Sequence, residues 1–593
     1  MSVQRNKKVI RRVSSYLLEH KFLFFLTLTL ACVMTVLSVF VPTLIQKVLD
    51  TIFLSEGNSN GYLIQGVSMI ALMFFCKELL NSLRIRFNNK LEQKVILKLR
   101  EDLHRKLLKL PISFYDQRKS GDISSRVVED VQNVERAILD GTEQGVIAVL
   151  TLLGVTIMMF TQEPRLAVLV FLPLPILCIM AFRYSKISKK NWKAVREASG
   201  DLNALLVENI QGNRLIHSFS LTERERKRFR SIGEVLQERS LKAMYRWSIQ
   251  GPSASFTSSL GILAVVGMGA HLLRTDPEFT TGQFFAFLLY ANMFYEPVRQ
   301  LVSINNLISA GKASGERVFE ILDTPVDIID PTQPVRFPTI KQDITFKNVS
   351  FAYNDRQNLV EMLDFTIPHG STTALVGPTG SGKTTIASLL LRYYDVSGGS
   401  VLIDNVDVRK FRLNELRENI GFVSQDPFLF DATIKENLLL ASPLSGEREM
   451  MEALDAASIR KFVESLPDGI NTQIGERGIR LSMGEKQRIT LARAILKSSP
   501  IMIFDEATSS VDVETEREIQ IAISTLMKKH TTLIIAHRLS TIREADQIIF
   551  LEKGKIVECG THQSLMEKEG KYSSFCDYQN NVSAYLQSAE TIG

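Results

Sequence analysis

The chain has 593 residues, of which 45% are hydrophobic and 23% are charged, and its formal net charge at pH 7 is +6. This length is too great for one domain, so at least two domains are expected. The modest charge gives no case for nucleic acid as a partner, and the five cysteines lack the spacing of a metal site.

Long uncharged, apolar runs fill the first half of the chain. A helix needs about 20 apolar residues to cross a bilayer, and each run can extend into its flanking residues. Six runs predict six transmembrane helices: Phe22–Gln46, Gly61–Cys76, Gln144–Gln162, Leu166–Phe182, Trp247–Leu273 and Phe279–Tyr295. The alternative is a large soluble domain with buried helices, which six such runs make the poorer explanation.

Basic residues near the N-terminus indicate the orientation of these spans. Five of them precede Glu19, the first acidic residue: Arg5, Lys7, Lys8, Arg11 and Arg12. Positive charge beside a span favours the cytoplasmic side, so the N-terminus is expected there, and six spans return the chain to the same side. We therefore expect a multi-pass protein of the cytoplasmic membrane with both termini in the cytoplasm.

Two charged stretches, 77–143 and 183–246, separate the second span from the third and the fourth from the fifth. Each is long enough for two helices of roughly 30 residues, or about 45 Å apiece. Proline or glycine lies near the midpoint of each stretch, in Leu110–Asp116 and Glu208–Arg214. We therefore expect paired helical arms with a turn between them, although a solvated helix pair without a further role is an alternative.

A proline-rich segment follows the sixth run. Four prolines lie between Asp323 and Pro338, and proline does not continue a helix or donate a hydrogen bond to a sheet. The predicted organisation is therefore a membrane domain over residues 1–322, a linker over 323–339 and a second domain over 340–593.

A glycine-rich motif, Gly377–Thr384, is the strongest signal in the second domain. It has the pattern of a P-loop, the segment that cradles the phosphates of a nucleoside triphosphate. An apolar strand precedes it at Thr372–Val376, and a helical segment follows it at Thr385–Leu391. Because this strand–loop–helix context is met, a chance match in a glycine-rich turn is the poorer explanation.

Each residue type in the loop suits phosphate binding. The glycines Gly377, Gly380 and Gly382 allow a tight bend that turns backbone N–H groups toward phosphate oxygens. Lys383 is expected to reach the β- and γ-phosphates, and Thr384 to offer its hydroxyl group to Mg²⁺. The dipole of the following helix also favours a bound anion.

Two later apolar strands end in ionisable residues. The segment Pro500–Glu506 ends in two carboxylates, and Thr532–His537 ends in histidine. Beside a P-loop, Asp505 is expected to coordinate Mg²⁺ and Glu506 to polarise the attacking water as a general base. His537 is expected to contact the γ-phosphate. The alternatives are a helix-capping role for Asp505 and a purely structural role for the histidine.

The order of these motifs resembles that of the nucleotide-binding domain of ABC transporters. Further family motifs keep the family order between residues 340 and 580: Tyr353, Gln425, Thr472–Gly478, Leu481–Glu485 and Ser509–Asp512. The two turns of the membrane half resemble those that hold the coupling helices of exporter-type (B-subfamily, type IV) half-transporters. The resemblance covers nearly the whole chain and implies a membrane α-helical domain fused to an α/β P-loop ATPase domain.

The resemblance also implies roles for individual residues. Tyr353 would stack against adenine, Gln425 would sense Mg²⁺ and the γ-phosphate, and Asp512 would shape a dimer interface. The Thr472–Gly478 segment would contact the coupling helices. The implied nucleotide contacts are Tyr353, Gly377, Thr379, Gly380, Ser381, Gly382, Lys383, Thr384, Thr385, Ser482, Gly484 and Asp512. The implied catalytic residues are Glu506, His537 and Gln425, and the implied Mg²⁺ contacts are Thr384, Gln425 and Asp505.

The segment Leu481–Glu485 departs from the family signature, which is usually Leu-Ser-Gly-Gly-Gln. Family members bind two ATP molecules between two ATP domains, each held by one P-loop and by the signature of the other domain. Here Met483 adds bulk where the backbone must approach phosphate, and Glu485 adds negative charge. We therefore expect a heterodimer with a different chain that carries an intact signature, and a tolerated variant in a homodimer is the alternative.

The leading interpretation is an ATPase that exports lipophilic and amphipathic compounds, as in multidrug efflux, with ATP and Mg²⁺ as cofactors. Its partners would be a second half-transporter, the lipid bilayer and a lipophilic substrate. An alternative is a homodimeric flippase or exporter of lipids or lipopeptides. A non-transporting role, such as an ATP-gated channel or a regulator, is a further alternative, against which Glu506 argues.

Overall fold

A computed structural model describes residues 2–54, 60–353, 359–475, 478–505, 513–536 and 539–578. The chain forms two compact units. The first contains residues 1–108 and 120–324, and the second contains residues 109–119 and 325–593. The segment 109–119 thus packs with the second unit, and the predicted domain boundaries stay a prediction.

The helices from the N-terminus to the end of the first unit are, in chain order, α1 (Ser2–Glu19), α2 (Lys21–Leu54), α3 (Asn60–Leu107), α4 (Ile112–Asp116), α5 (Ser120–Ser125), α6 (Val131–Gln162), α7 (Pro164–Phe171), α8 (Leu174–Gln211), α9 (Asn213–Ser218), α10 (Thr222–Thr275) and α11 (Thr281–Asp323). Of these, α4 belongs to the second unit. A π-helical turn, Arg126–Asp130, joins α5 to α6. The predicted arms are therefore long continuous helices that extend beyond the apolar runs.

Five helical stretches among the described residues are long and apolar enough to cross a membrane: Lys21–Ile52, Gly61–Leu107, Ser120–Gln162, Pro164–Gln211 and Thr222–Thr275. The sixth predicted run, Phe279–Tyr295, lies largely in α11, which is not among them. The count of six spans is therefore not confirmed. The physical reason is composition, since polar residues such as Gln283 and Asn292 interrupt the apolar part of this helix.

Two tyrosines of α11 form hydrogen bonds to other helices of the first unit. The hydroxyl group of Tyr290 donates to the carbonyl oxygen of Val39 (2.9 Å) and lies 2.7 Å from the hydroxyl of Thr43. The hydroxyl group of Tyr295 donates to the carbonyl oxygen of Val170 (2.8 Å). Both tyrosines are almost fully buried, so these hydrogen bonds satisfy polar groups that would otherwise lack water.

Each of these acceptor carbonyls lies three residues before a proline. Val39 precedes Pro42 inside α2, and Val170 precedes Pro173 between α7 and α8. Proline lacks an N–H group and disturbs the helical hydrogen bonds around it. In membrane helices, neighbouring helices commonly satisfy the backbone groups that a proline frees. The tyrosines of α11 therefore bind backbone carbonyls beside these two prolines.

Ion pairs fix the end of α11 against the π-helical turn. The Nε atom of Arg317 donates to Asp130 (2.7 Å), and Arg126 pairs with Glu320 at 2.9 Å. Asp130 is buried, with 4% of its surface exposed. A buried carboxylate requires a paired cation, so this contact holds the last turns of α11 in place.

The strands of the second unit are β1 (Ile344–Phe351), β2 (Val360–Ile367), β3 (Thr372–Val376), β4 (Gly398–Ile403), β5 (Val406–Asp407), β6 (Ile420–Val423), β7 (Ile501–Asp505), β8 (Thr531–Ile535), β9 (Gln547–Glu552) and β10 (Lys555–Gly560). Within the described ranges they form two sheets. The smaller sheet is antiparallel, with the order β2-β1-β4-β5. The larger has the order β10-β9-β3-β8-β7-β6, and its pairs are parallel except for β9 with β10.

The remaining helices are α12 (Lys383–Leu390), α13 (Leu413–Glu418), α14 (Ile434–Leu439), α15 (Glu447–Ala456), α16 (Arg460–Ser465), α17 (Met483–Lys497), α18 (Val513–Met527), α19 (Leu539–Arg543) and α20 (His562–Glu567). Short 3₁₀ turns lie at Val408–Lys410 and Gly469–Asn471.

The parallel sheet determines where the candidate site lies. Every residue of β3, β7 and β8 is buried, as expected for strands covered on both faces. Parallel strands present their carboxyl ends at one edge, which is where ligands bind in open α/β sheets. This edge receives the start of the P-loop after β3, Asp505 at the end of β7 and Gln425 two residues after β6.

Candidate nucleotide site

The P-loop leaves β3 at Val376 and enters α12 at Lys383. Gly377 has a φ angle of +147°, and a Cβ atom there would lie 2.0 Å from the carbonyl oxygen of Leu551. Gly382, with a φ angle of +101°, is the N-cap residue of α12. Only glycine fits both the conformation and the close approach at Gly377, which explains why the loop begins with this residue.

The side chain of Lys383 is buried beneath the loop, with 6% of the residue exposed. Its Nζ atom donates to the carbonyl oxygens of Gly377 (2.9 Å) and Pro378 (3.0 Å). The loop backbone therefore holds the ammonium group next to the N–H groups predicted to bind phosphate. A buried ammonium requires acceptors of this kind, and a phosphate oxygen is a stronger acceptor than a carbonyl.

Ser381 provides a direct test of whether the loop fits a phosphate. The residue is 2% exposed, and its Oγ atom is buried without a hydrogen-bond partner in the described part of the chain. Buried hydroxyl groups are almost always hydrogen-bonded in folded proteins. A phosphate oxygen in the loop would supply the missing acceptor, so the residues present fit a bound nucleotide.

Thr384 and Asp505 bring two oxygen ligands together at the end of the sheet. The hydroxyl group of Thr384 donates to Asp505 over 3.4 Å, and Asp505 is 4% exposed. Hydroxyl and carboxylate oxygens are ligands that suit Mg²⁺. Val423 pairs with Phe504 in the sheet, so Gln425 leaves the same edge with an exposed side chain. This donor set fits Mg²⁺, which when bound neutralises charge on the phosphates.

Tyr353 lies beside the helix that follows the P-loop. Its hydroxyl group is 3.3 Å from Oγ1 of Thr385. Its ring packs edge-on against Phe351, with centroids 4.8 Å apart, and against Tyr394, with centroids 5.1 Å apart. The residue is only partly buried, and its role in stacking adenine stays a prediction.

Several predicted residues lie outside the described part of the chain: Glu506, Asp512, His537 and two residues of the Thr472–Gly478 segment. Their roles stay predictions. Thr379 and Gly380 are exposed at the tip of the P-loop. The structure thus brings together the P-loop, Thr385, Tyr353, Asp505 and the segment of Gln425.

The signature residues begin a different helix, α17. Ser482 is its N-cap, and Glu485 completes a capping box. The N–H group of Ser482 donates to Oε2 of Glu485 (2.7 Å), and the N–H group of Glu485 donates to Oγ of Ser482 (3.3 Å). Gly484 is buried, whereas Met483 is 42% exposed. The helix therefore uses its own side chains to satisfy its first N–H groups and places a carboxylate at its N-terminus.

Sequence reasoning missed Tyr394, which belongs to the aromatic cluster around Tyr353. Its ring centroid is 5.4 Å from that of Phe351. The available signal was the pair Tyr393–Tyr394 after the P-loop helix. The sequence could not choose between the two, because only the structure shows that Tyr393 packs instead against the guanidinium of Arg417, 5.3 Å from its ring centroid.

Comparison with known families agrees with this geometry. Residues 24–298 match the ABC transporter transmembrane region, and residues 360–509 match the ABC transporter family model. A relative from Syntrophus aciditrophicus (strain SB), named an ATP-dependent lipid A-core flippase, is 36% identical over 530 residues, 89% of this chain and 87% of that protein.

A second relative is YgaD of Bacillus subtilis (strain 168), provisionally named a multidrug export ATP-binding/permease protein. It is 33% identical over 582 residues, which are 96% of this chain and 99% of that protein. Among solved structures, that of a bacterial Atm1-family ABC exporter with ATP bound matches with a TM-score of 0.80 and 26% identity, covering 96% of this chain and 99% of that chain. The chain therefore belongs to the ABC transporter family, as an exporter-type protein whose transmembrane helical domain is fused to an ATPase that couples ATP hydrolysis to transport.

Proposed function

We propose that this chain is the hydrolysing half of a heterodimeric exporter of lipophilic and amphipathic compounds. The observation that carries the proposal is the contrast between a complete P-loop and a signature helix capped by the carboxylate of Glu485. In an ABC dimer these two features serve different nucleotides, so a defect in one leaves the other site intact.

The charge of Glu485, at the N-terminus of α17, makes this helix a poor ligand for phosphate. The carboxylate of Glu485 accepts from the N–H group of Ser482 at the point where a γ-phosphate would approach. Two negative charges about 4 Å apart repel by about 1 kcal/mol even at the dielectric constant of water. The usual glutamine could form the same cap without the charge. Met483 adds an exposed side chain beside it.

The hydrolysing side keeps every residue type that the reaction requires. Lys383, Thr384 and Asp505 have the contacts described above. We assign the general-base role to Glu506 and the γ-phosphate contact to His537. With a partner's intact signature, this side would form the active site. The altered signature would close a second site on the partner, whose own catalytic residues we propose to be degenerate. Slow hydrolysis there would hold ATP longer and make this site a latch.

The transport cycle follows from this asymmetry. ATP binding draws the two ATP domains together, the helical arms transmit closure to the spans, and hydrolysis resets the protein. Basic residues at the N-terminus support a cytoplasmic location for the ATP domains in the plasma membrane. Lipophilic compounds are the proposed substrates, and the name of YgaD, which refers to multidrug export, supports this class.

The test combines co-purification with transport. We expect a second, different half-transporter to accompany this chain from its native membrane. Inside-out vesicles that contain the pair should accumulate a lipophilic dye against its gradient only with ATP and Mg²⁺. Recovery of the chain as a homodimer that accumulates the dye would contradict the heterodimer. Downhill movement alone would contradict a pump and favour a channel.

A second candidate function is a homodimeric flippase or exporter of lipids or lipopeptides. It is favoured by the relative named as a lipid A-core flippase, which is 36% identical to this chain. The same vesicles distinguish the two functions when they carry a fluorescent phospholipid in one leaflet. ATP-dependent movement of that lipid by the chain alone would support the second candidate.

A further inference from the structure

The segment 109–119 joins two helices of the membrane unit but packs with the ATPase unit. It contains α4, a helix of five residues. Leu110 and Phe114 are each 7% exposed, and the guanidinium of Arg118 lies 4.4 Å from the ring centroid of Phe114. Apolar burial therefore holds the segment in place. A specific contact toward the nucleotide site must come from its polar residues.

Asp116, the last residue of α4, provides such a link. The hydroxyl group of Tyr394 donates to Oδ2 of Asp116, a residue 278 positions away in the sequence. A hydrogen bond to a carboxylate is about twice as strong as one between neutral groups. Burial, and then this hydrogen bond, raise the pKa of Tyr394 well above its ordinary value. The tyrosine therefore stays protonated and remains a donor across the physiological pH range.

The ring of Tyr394 also contacts a residue of the candidate nucleotide site. Its ring meets that of Tyr353 nearly at right angles, at an interplanar angle of 88°. Edge-to-face pairs of this kind favour one relative orientation by about 0.5–1.5 kcal/mol beyond their burial. Tyr353 also approaches Thr385, the second residue after Lys383. A shift of the Tyr353 ring would therefore change the position of Tyr394.

We propose that Tyr394 is a positioning residue that connects the occupancy of the nucleotide site to the segment 109–119. Adenine on Tyr353 fixes that ring, the edge-on contact fixes Tyr394, and its hydroxyl group then holds Asp116. Since the segment runs into α3 on one side and α5 on the other, this path carries nucleotide binding to the membrane helices. The inference rests on the proposed contact between Tyr353 and adenine.

The coupling between nucleotide binding and the Tyr394–Asp116 bond must be reciprocal, because each changes the free energy of the other by the same amount. A nucleotide should stabilise the bond between Tyr394 and Asp116, and loss of that bond should weaken nucleotide binding by the same factor. The test is hydrogen–deuterium exchange of the full chain in lipid nanodiscs, with and without the ATP analogue AMP-PNP and Mg²⁺. In the wild type, AMP-PNP should slow exchange in 109–119 by about fivefold, the lower end of typical allosteric coupling.

The variant Tyr394→Phe keeps the ring and removes only the hydroxyl group. At saturating AMP-PNP, we expect the P-loop of this variant to be protected as in the wild type, whereas exchange in 109–119 no longer responds. Asp116→Asn should behave alike, and the double variant should add nothing to either single one. Tyr393→Phe is the matched control, since its ring packs on Arg417, and it should respond like the wild type.

A normal response of 109–119 in Tyr394→Phe would overturn the proposed link. The variant Tyr353→Ala separates this result from the underlying assignment. If Tyr353→Ala weakens AMP-PNP binding while Tyr394→Phe responds normally, only the link is wrong. If Tyr353→Ala binds AMP-PNP like the wild type, Tyr353 does not stack adenine, and the proposed path is overturned at its first step.

Discussion

The P-loop and the signature segment of the ATPase unit each precede a helix, α12 and α17 respectively. The two helix N-termini differ in how their polar groups are paired. Before α12, glycine geometry opens the backbone, and the buried Oγ atom of Ser381 has no partner in the described part of the chain. Before α17, Ser482 and Glu485 bond to each other's backbone. The N-terminus of α12 can therefore accept an anion, whereas the N-terminus of α17 already has the carboxylate of Glu485 beside it.

This difference shows that a helix terminus can be well capped and still be a poor site for an anion. A capping box stabilises a helix terminus by satisfying two of its free N–H groups. Here the capping side chain is a carboxylate, so it leaves negative charge where a γ-phosphate would otherwise be favoured. Substitutions at the two ends should therefore have separate effects.

Removing the general base should have the largest effect. We expect Glu506→Gln, in the complex with its partner, to lower ATP turnover by about 100-fold or more, because a positioned base contributes about 10²- to 10⁴-fold. ATP should remain bound in a closed complex. Steady-state phosphate release measures the loss, and Glu567→Gln on the exposed side of α20 is the control. Normal turnover in Glu506→Gln would contradict the assignment.

Removing the open hydroxyl group of the P-loop should weaken nucleotide binding. Ser381→Ala is expected to lower the affinity for ATP by about tenfold, since a hydrogen bond to a charged group contributes about 1.5 kcal/mol. Isothermal titration calorimetry checks this value. Ser388→Ala is the matched control, because the hydroxyl of Ser388 donates to the carbonyl of Thr384 (3.0 Å) within the same helix. Equal affinities of the two variants would argue against a phosphate contact.

Neutralising the signature carboxylate should affect only the partner-facing site. In the heterodimer, Glu485→Gln should lengthen the retention of ATP there by about fivefold, because it removes a repulsion of about 1 kcal/mol. Glutamine can preserve the cap, so thermal stability should not change. Glu449→Gln is the control, since the carboxylate of Glu449 likewise accepts from the N–H group of an N-cap residue, Gly446 of α15. Unchanged retention of ATP would show that the charge does not weaken this site.

Removing the cap itself should cost stability and leave the P-loop unaffected. Ser482→Ala should lower the free energy of unfolding by about 1 kcal/mol, the typical cost of losing an N-cap. Its affinity for ATP at Lys383 and Thr384 should equal that of the wild type. Thermal denaturation and calorimetry test the two statements separately. A large loss of affinity in the isolated chain would mean that the two regions are not independent.

Sequence patterns predicted the strand, loop and helix around the P-loop well, because each of them follows from the residues of its own segment. The strand at Thr372–Val376, the loop and the helix lie as the spacing indicated. The charge of Glu485 was also visible, but its bond to Ser482 was not. A side chain at a helix N-terminus can point to solvent or back to the backbone, and only the geometry of α17 decides between these.

Two other features depend on distant contacts that no local pattern reveals. The apolar pattern predicted a sixth span at 279–295, which the structure does not confirm. In the structure α11 instead uses Tyr290 and Tyr295 to bind backbone carbonyls of neighbouring helices. Asp116 and Tyr394 are separated by 278 residues, so the placement of 109–119 with the ATPase unit required the structure.

The most direct test of the asymmetry is the ATPase activity of this chain purified alone, compared with the double variant Met483→Gly and Glu485→Gln. In a forced homodimer both sites combine an intact P-loop with the altered signature. The account predicts low turnover by the wild-type chain and a gain of about tenfold in the variant, which corresponds to about 1.4 kcal/mol. Rapid turnover by the wild-type chain, with no gain on restoring the signature, would contradict it.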